Sequence, residues 1–360
     1  MSLKERITGL IAAQGPIGVA QFMTIALHDA EYGYYATRDP FGREGDFITA
    51  PEISQMFGEM LCLWVGMAWM EQGKPQHPVL VELGPGRGTL MRDMLRALKA
   101  APDFLKGLDV MMVEASPHLR GLQQEALKDS GARVTWASQF DPPAGRPVFV
   151  VANEFFDALP IRQYVKTARG WCERMVTAKN GDLTFALAPA PTPSALIPEA
   201  YAAAPDGGVY ETAPAGIALA EDIARQVEKN GGAALLIDYG YSQAGFGETL
   251  QAVGDHRFAD LLAEPGAHDL SAHVDFAALA AAGKRGGAGV HGPITQGGLL
   301  TALGIGARAQ SLAAKNPGSE AALAAALERL VSPTAMGSLF KAMAFLPGMA
   351  ATAPGFAETP

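Results

Sequence analysis

Cysteine is almost missing from this chain of 360 residues, which has only two, Cys62 and Cys172. They lie far apart and neither forms a Cys-x-x-Cys pair, so a disulfide framework and a thiolate zinc site are both unexpected. Cys62 falls within an apolar helical pattern and reads as a small core residue. A reducing compartment suits such a chain, which makes the cytoplasm the expected location. Basic charge is scarce as well: 28 lysines and arginines face 37 acids, for a net charge of −9. A chain of that sign repels a phosphate backbone, and no basic run offsets it, so nucleic acid is not an expected partner. Uninterrupted apolar runs are short. None approaches the roughly 20 residues of a bilayer span, and no membrane insertion is expected. The first residues lack a long apolar signal core; Leu3, Ile7, Leu10 and Ile11 fall on one helical face instead.

Apolar material, by contrast, is plentiful. Hydrophobic residues make up 49% and charged residues 18%, enough for a sizeable core and contrary to disorder. Forty-one glycines and 25 prolines predict many turns, without the Gly-X-Y period of collagen. The length predicts one large domain with an insertion, or two domains.

Helical spacing runs over 2–13, 18–28 and 54–72, and the segment between the last two is too rich in Gly, Pro and Tyr to be regular. A loop of that length, with that aromatic content, is expected to be ordered and functional. From residue 78 short apolar runs (79–83, 108–113, 133–136, 147–152) alternate with helical stretches (89–99, 117–129). Continuous apolar strands alternating with helices predict an α/β fold with a parallel sheet covered on both faces. Between 162 and 187 the period changes to alternation, with Asn180-Gly181 as a turn, which predicts an antiparallel meander. The α/β pattern returns with a helix near 215–228, a strand at 233–238 and a last strand near 339–346. The expected organisation is a helical cap and lid over 1–75, a core over 76–160 and 213–360, and an inserted meander over 161–212.

The strongest motif is Glu82-Leu83-Gly84-Pro85-Gly86-Arg87-Gly88-Thr89, at the first strand-to-helix turn. Glycines there permit positive φ and let backbone N–H groups approach a ligand, with the helix dipole behind them. Dinucleotides and S-adenosylmethionine both use such turns. A dinucleotide turn needs Gly-x-Gly-x-x-Gly, and here the third glycine comes one residue early, with Thr at 89. Glu82 would repel a pyrophosphate and suit an ammonium or sulfonium group. A tight turn with no ligand remains the plain alternative.

Two further strand ends carry acids. Glu114 ends the second strand, where a carboxylate can accept both hydroxyls of a ribose, a feature shared by both nucleotide readings. Asn153, Glu154 and Asp157 follow the fourth strand and face the same crevice, since ligands of open α/β sheets bind beyond the carboxyl ends of the strands. A carboxylate there can hold a guanidinium bidentately or take its proton. It can equally cap the next segment or pair with Arg162.

The blocks ELGPGRGTL (82–90), YGYY with GDFITAPEISQMFGE (within 32–59), NEFFDALP (153–160), LLIDYGY (235–241) and SAHVDF (271–276) together resemble the MidA family. These are class I S-adenosylmethionine-dependent methyltransferases related to a mitochondrial complex I assembly factor that dimethylates arginine. The resemblance spans nearly the whole chain. It implies a Rossmann-like, seven-stranded, mostly parallel sheet with a helical N-terminal extension and an inserted antiparallel β-subdomain. It implies S-adenosylmethionine as cofactor and a protein substrate, with a respiratory complex subunit as the target of the eukaryotic members. By the resemblance Gly84, Gly86 and Gly88 line the methionine end of the cofactor, Glu114 the ribose, and Asn153 and Glu154 the transferred methyl.

This sequence departs from better-known arginine methyltransferases, which carry two glutamates on a hairpin after the fourth strand. Asp157, with a shorter side chain, is the nearest second acid. His273 is loosely similar to their late Thr-His-Trp loop and is a further catalytic candidate, though a lone histidine is often structural. Tyr32, Tyr34 and Tyr35, with Asp46, Phe47 and Thr49, are expected to fold over the cofactor as a lid. Direct in-line transfer needs no metal. The meander is a candidate substrate or homodimer surface. Two rival readings stand: a cofactor-binding assembly protein of a respiratory complex without chemistry, and an NAD-dependent oxidoreductase.

Overall fold

The computed structural model describes residues 2–37, 49–243, 245–254, 257–348 and 352–356. The chain forms two compact units, one of residues 41–156, 218–240 and 278–360, the other of 1–40, 157–217 and 241–277.

Among the described residues the first unit is built on seven strands: β1 Val79–Leu83, β2 Asp109–Val113, β3 Arg133–Ala137, β4 Val148–Asn153, β5 Gly232–Tyr241, β6 Gly289–Thr295 and β7 Phe340–Leu346. Their order across the sheet is β6-β7-β5-β4-β1-β2-β3. Strands β3, β2, β1, β4 and β5 run parallel, while β7 is antiparallel to both β5 and β6. Every residue of β1 and β4 is buried, which is why both read as unbroken apolar runs. After β3 the chain crosses to the other side of β1, so β1 lies between β2 and β4. That reversal opens a crevice at the carboxyl ends of β1, β2 and β4.

Three helices bear on that crevice: α1 Gln55–Glu71, α2 Thr89–Leu98 and α3 Pro117–Leu127. Helix α1 buries Phe57, Leu61, Trp64, Val65 and Ala68 in one cluster with Leu80 and Phe149 of the sheet. Each such side chain contributes about 1.5–3 kcal/mol by leaving water. This apolar face, nearly continuous around the helix, sets α1 with the sheet. The grouping therefore differs from a cap ending near residue 75.

The other unit opens with a helix at Leu3–Gln14, where Ser2 and Glu5 form a capping box. Its Leu3, Ile7 and Ile11 join Phe22, Met23 and Leu27 of the helix Val19–His28 in a second core. The predicted meander is present as strands Arg162–Thr167, Gly170–Lys179 and Asp182–Leu187. Asn180 and Gly181 both have positive φ, as a tight hairpin turn requires. Two partners escaped the sequence pattern: Val209–Thr212 pairs with Arg162–Thr167, and Ile17–Gly18 pairs with Gly170–Lys179. A small sheet of Gln251–Gly254, Arg257–Ala259 and Asp269–Ser271 was also unforeseen. Both cysteines are buried, Cys62 in the first unit and Cys172 in the second. Among the described residues no helix is long and apolar enough to cross a membrane.

Candidate functional site

The turn after β1 has the backbone that its glycines allow. Gly84, Gly86 and Gly88 have φ of 59°, 53° and 79°. A Cβ on Gly84 would stand 2.6 Å from the Phe155 ring, so this glycine also makes room for the loop after β4. Helix α2 starts from Gly88, which has no side chain to cap it, and the Met91 N–H of its first turn donates to Glu82. Thr89 Oγ1 instead donates to Glu52 Oε1 at 2.5 Å.

A cleft lies over this turn. Gly84 to Arg87, Thr89 and Leu90 form its floor with Glu82, and Asn153 and Glu154 border it from the β4 side. Thr49, Pro51 and Glu52 contribute the remaining wall. Of the residues expected at the site, Glu82, Gly84, Gly86, Asn153, Glu154 and Thr49 are thus brought together.

Glu82 is 3% exposed and accepts a backbone hydrogen bond from Met91. Burial pushes its carboxyl well above the ordinary carboxylate range, with the Met91 amide opposing the shift. Glu82 Oε2 and Asn153 Oδ1 are buried without a hydrogen-bond partner among the described residues.

Glu154 holds a left-handed backbone, φ 50°, rare for a residue with a Cβ. Its N–H donates to Ile237 O at 2.9 Å, and the next two amides donate to the Asp238 carboxylate. The side chain accepts at Oε1 from Ala50 N at 3.1 Å and from Asn153 Nδ2 at 3.2 Å. Asp238, 1% exposed, was absent from the sequence reading. Its signal was an acid within the otherwise apolar LLID run.

Glu114 ends β2 as expected. Its Oε1 accepts from Ser116 N at 2.7 Å and its Oε2 from Gln123 Nε2 at 3.3 Å. Burial raises its carboxyl from the ordinary range, with the Ser116 amide and Gln123 opposing the shift.

The remaining candidates belong to the unit of residues 1–40, 157–217 and 241–277. Asp157 is buried, and its carbonyl accepts from Ala272 N. His273 donates its backbone N–H to Thr249 Oγ1, and burial lowers the affinity of its imidazole for a proton. Thr249 and Gln163 in turn donate to the buried Glu211. Two of the tyrosines expected in a lid are packed within this unit. Tyr34 is fully buried in the core of this unit, and Tyr35 donates to Asp269 Oδ1 at 3.0 Å while stacking on His28. Their rings satisfy packing, which a Gly- and Tyr-rich loop does not announce. Asp46 and Phe47 lie outside the described residues.

The model of a family of S-adenosyl-L-methionine-dependent methyltransferases matches residues 60–294. The chain belongs to this family. It is 36% identical over 370 residues to the Danio rerio protein arginine methyltransferase NDUFAF7, mitochondrial, covering 94% of this chain and 86% of the relative. The Homo sapiens protein of the same name is 36% identical over 366 residues, covering 94% and 81%. A Burkholderia thailandensis protein solved with bound S-adenosyl-homocysteine superposes with a TM-score of 0.88 at 32% identity, covering 99% and 94%. The methyltransferase assignment replaces the oxidoreductase reading, in line with the early third glycine.

The residues fit the cofactor. S-adenosylmethionine brings an ammonium group and ribose hydroxyls as donors, and the cleft offers the unsatisfied oxygens of Glu82 and Asn153. Its carboxylate suits the positive dipole end of α2 beside the glycine turn. The relatives are named as mitochondrial, which overturns the cytoplasmic location expected above. That expectation leaned on sparse cysteine, and both thiols are buried, where the compartment's redox state leaves no mark.

Proposed function

We propose that this methyltransferase acts on arginine in a protein, with Glu154 as the group that receives the substrate guanidinium. One observation carries the reading: Glu154 borders the cleft above the glycine turn in a strained backbone conformation that neighbouring hydrogen bonds maintain. Strain of this kind persists where surrounding structure over-determines it, as at catalytic sites. The relatives named as protein arginine methyltransferases support the same choice of substrate.

Bound S-adenosylmethionine supplies an electrophilic methyl group on its sulfonium. Glu154 would pair with the guanidinium, orient one nitrogen and accept its proton, the methyl passing to that nitrogen as its bond to sulfur breaks and the thioether S-adenosylhomocysteine leaves. Asn153 Nδ2 holds Glu154 Oε1 in place. Gly84, Gly86 and Gly88 bind the methionine end and Glu114 the ribose, so positioning supplies most of the acceleration. A subunit of a respiratory complex is the target class we favour. The meander strand Asp182–Leu187, which pairs on one side with Gly170–Lys179, is the surface we assign to that substrate or to a second copy of the chain.

Methyl-labelled S-adenosylmethionine and a lysate depleted of this enzyme provide the test. Labelled protein that releases methylarginine on hydrolysis is expected, with a rate about a hundredfold lower for Glu154→Gln. Label on another residue type, or full activity in that variant, overturns the proposal.

A further inference from the structure

Gln123 lies on α3 and is fully buried. Its Nε2 donates to Gly86 O at 2.8 Å and to Glu114 Oε2 at 3.3 Å, while its Oε1 accepts from Trp136 Nε1 at 2.9 Å. Both amide hydrogens and the carbonyl are therefore engaged. The two acceptors and the single donor also fix which end of the amide is nitrogen. One side chain joins the ends of three strands: the glycine turn after β1, the acid after β2 and the indole on β3.

No other side chain supplies this pattern at this reach. Glutamate has no pair of N–H donors, methionine has none, and asparagine is one methylene shorter. The surroundings hold the helix in register. Arg120, one turn earlier on α3, donates from Nε and Nη2 to Glu114 O, and Ser116 caps the helix. Gly88 lies in van der Waals contact range of Gln123, and its φ of 79° is what favours glycine there.

We propose that Gln123 is a positioning residue for the cofactor: it sets the separation between the glycine turn and Glu114, and it transmits occupancy of the cleft to the indole of Trp136. The proposal rests on the reading of that turn and of Glu114 as the cofactor's binding groups. A buried network with every member satisfied moves as a unit. A ligand that draws Gly86 or Glu114 toward itself shifts the amide, and the amide shifts the hydrogen bond to the indole.

S-adenosylhomocysteine is the probe, titrated by calorimetry and by tryptophan emission on the full chain. Wild-type protein should bind with an emission change, and Trp136→Phe should bind with most of that change gone. Gln123→Met should bind at least tenfold more weakly and, at saturation, lack the Trp136 component. Gln123→Glu, which places a second carboxyl against Glu114, should bind weakly at pH 8 and regain affinity toward pH 5, where one of the pair is protonated. Circular dichroism identifies any variant that fails to fold. The wild-type and Trp136→Phe comparison stands without the Gln123 variants, and an emission change that survives Trp136→Phe in full overturns the coupling. Wild-type affinity in folded Gln123→Met overturns the positioning role. Wild-type protein that binds no S-adenosylhomocysteine instead brings down the assignment of the turn itself, a separate failure visible before any variant is made.

Discussion

Asp238 Oδ2 accepts the backbone N–H of Phe156 at 2.9 Å, and the same oxygen accepts Phe155 N at 3.1 Å. A buried carboxylate on β5 thus ties down the loop that carries Glu154. It also seats the Phe155 ring against Gly84, joining the two halves of the cleft. Asp238→Ala would take this acceptor from three amides, those of Phe155, Phe156 and Tyr239. The expected loss is about 3 kcal/mol of stability, read by denaturant unfolding. Methyl transfer should fall further than cofactor affinity, because Glu154 loses its aim. Equal losses in the two would assign Asp238 to the fold alone.

Gly86 offers the cleanest probe of the turn. Its φ of 53° is strained for a β-branched residue whatever the available space. Gly86→Val should weaken S-adenosylhomocysteine binding by about a hundredfold or more, a loss of about 2.7 kcal/mol, measured by calorimetry. Unchanged affinity in a folded variant would remove the turn from the binding site.

Glu82 should make stability depend on pH. Its native proton affinity is raised, so between the ordinary carboxyl range and that raised value the unfolded chain has lost a proton that the native state keeps. Fewer protons on the unfolded state mean that stability falls as pH rises through this window, and levels above it. Glu82→Gln should flatten that fall. Urea midpoints of both proteins at pH 4.5, 6 and 7.5 check it; parallel curves would mean that Glu82 ionises freely.

Arg308 meets the buried Glu59 through two hydrogen bonds, Nε at 2.8 Å and Nη2 at 2.9 Å. Removing it leaves a carboxylate that is 9% exposed with longer contacts to Gln55 Nε2 at 3.4 Å and Arg96 at 3.7 Å. Arg308→Leu should cost about 2 kcal/mol in thermal or chemical unfolding. Cofactor affinity should stay within a few-fold of wild type.

The parallel strands were legible because β1 and β4 are buried on both faces, so no polar residue interrupts their interiors until Glu82 and Asn153 near the tips. The glycine turn was legible because its backbone excludes most other residues. Val209–Thr212 was not, since four residues after a Pro/Ala-rich stretch become a strand only by pairing with Arg162–Thr167. Gln123 and Asp238 escaped for a related reason. Their partners lie 37 and 83 residues away, at Gly86 and Phe155, and one polar residue on a helix otherwise reads as solvated surface. The burial of Tyr34 was not legible, because an aromatic among glycines looks exposed until a core is built around it.

The two buried thiols make this chain its own clock for opening. Burial pushes Cys62 up to about 12, so in the native state it reacts with an alkylating reagent only when its surroundings part. Cys172, within the meander, answers for the other unit. Pulsed alkylation followed by peptide mass spectrometry would time the two units independently in one sample, with no engineered label.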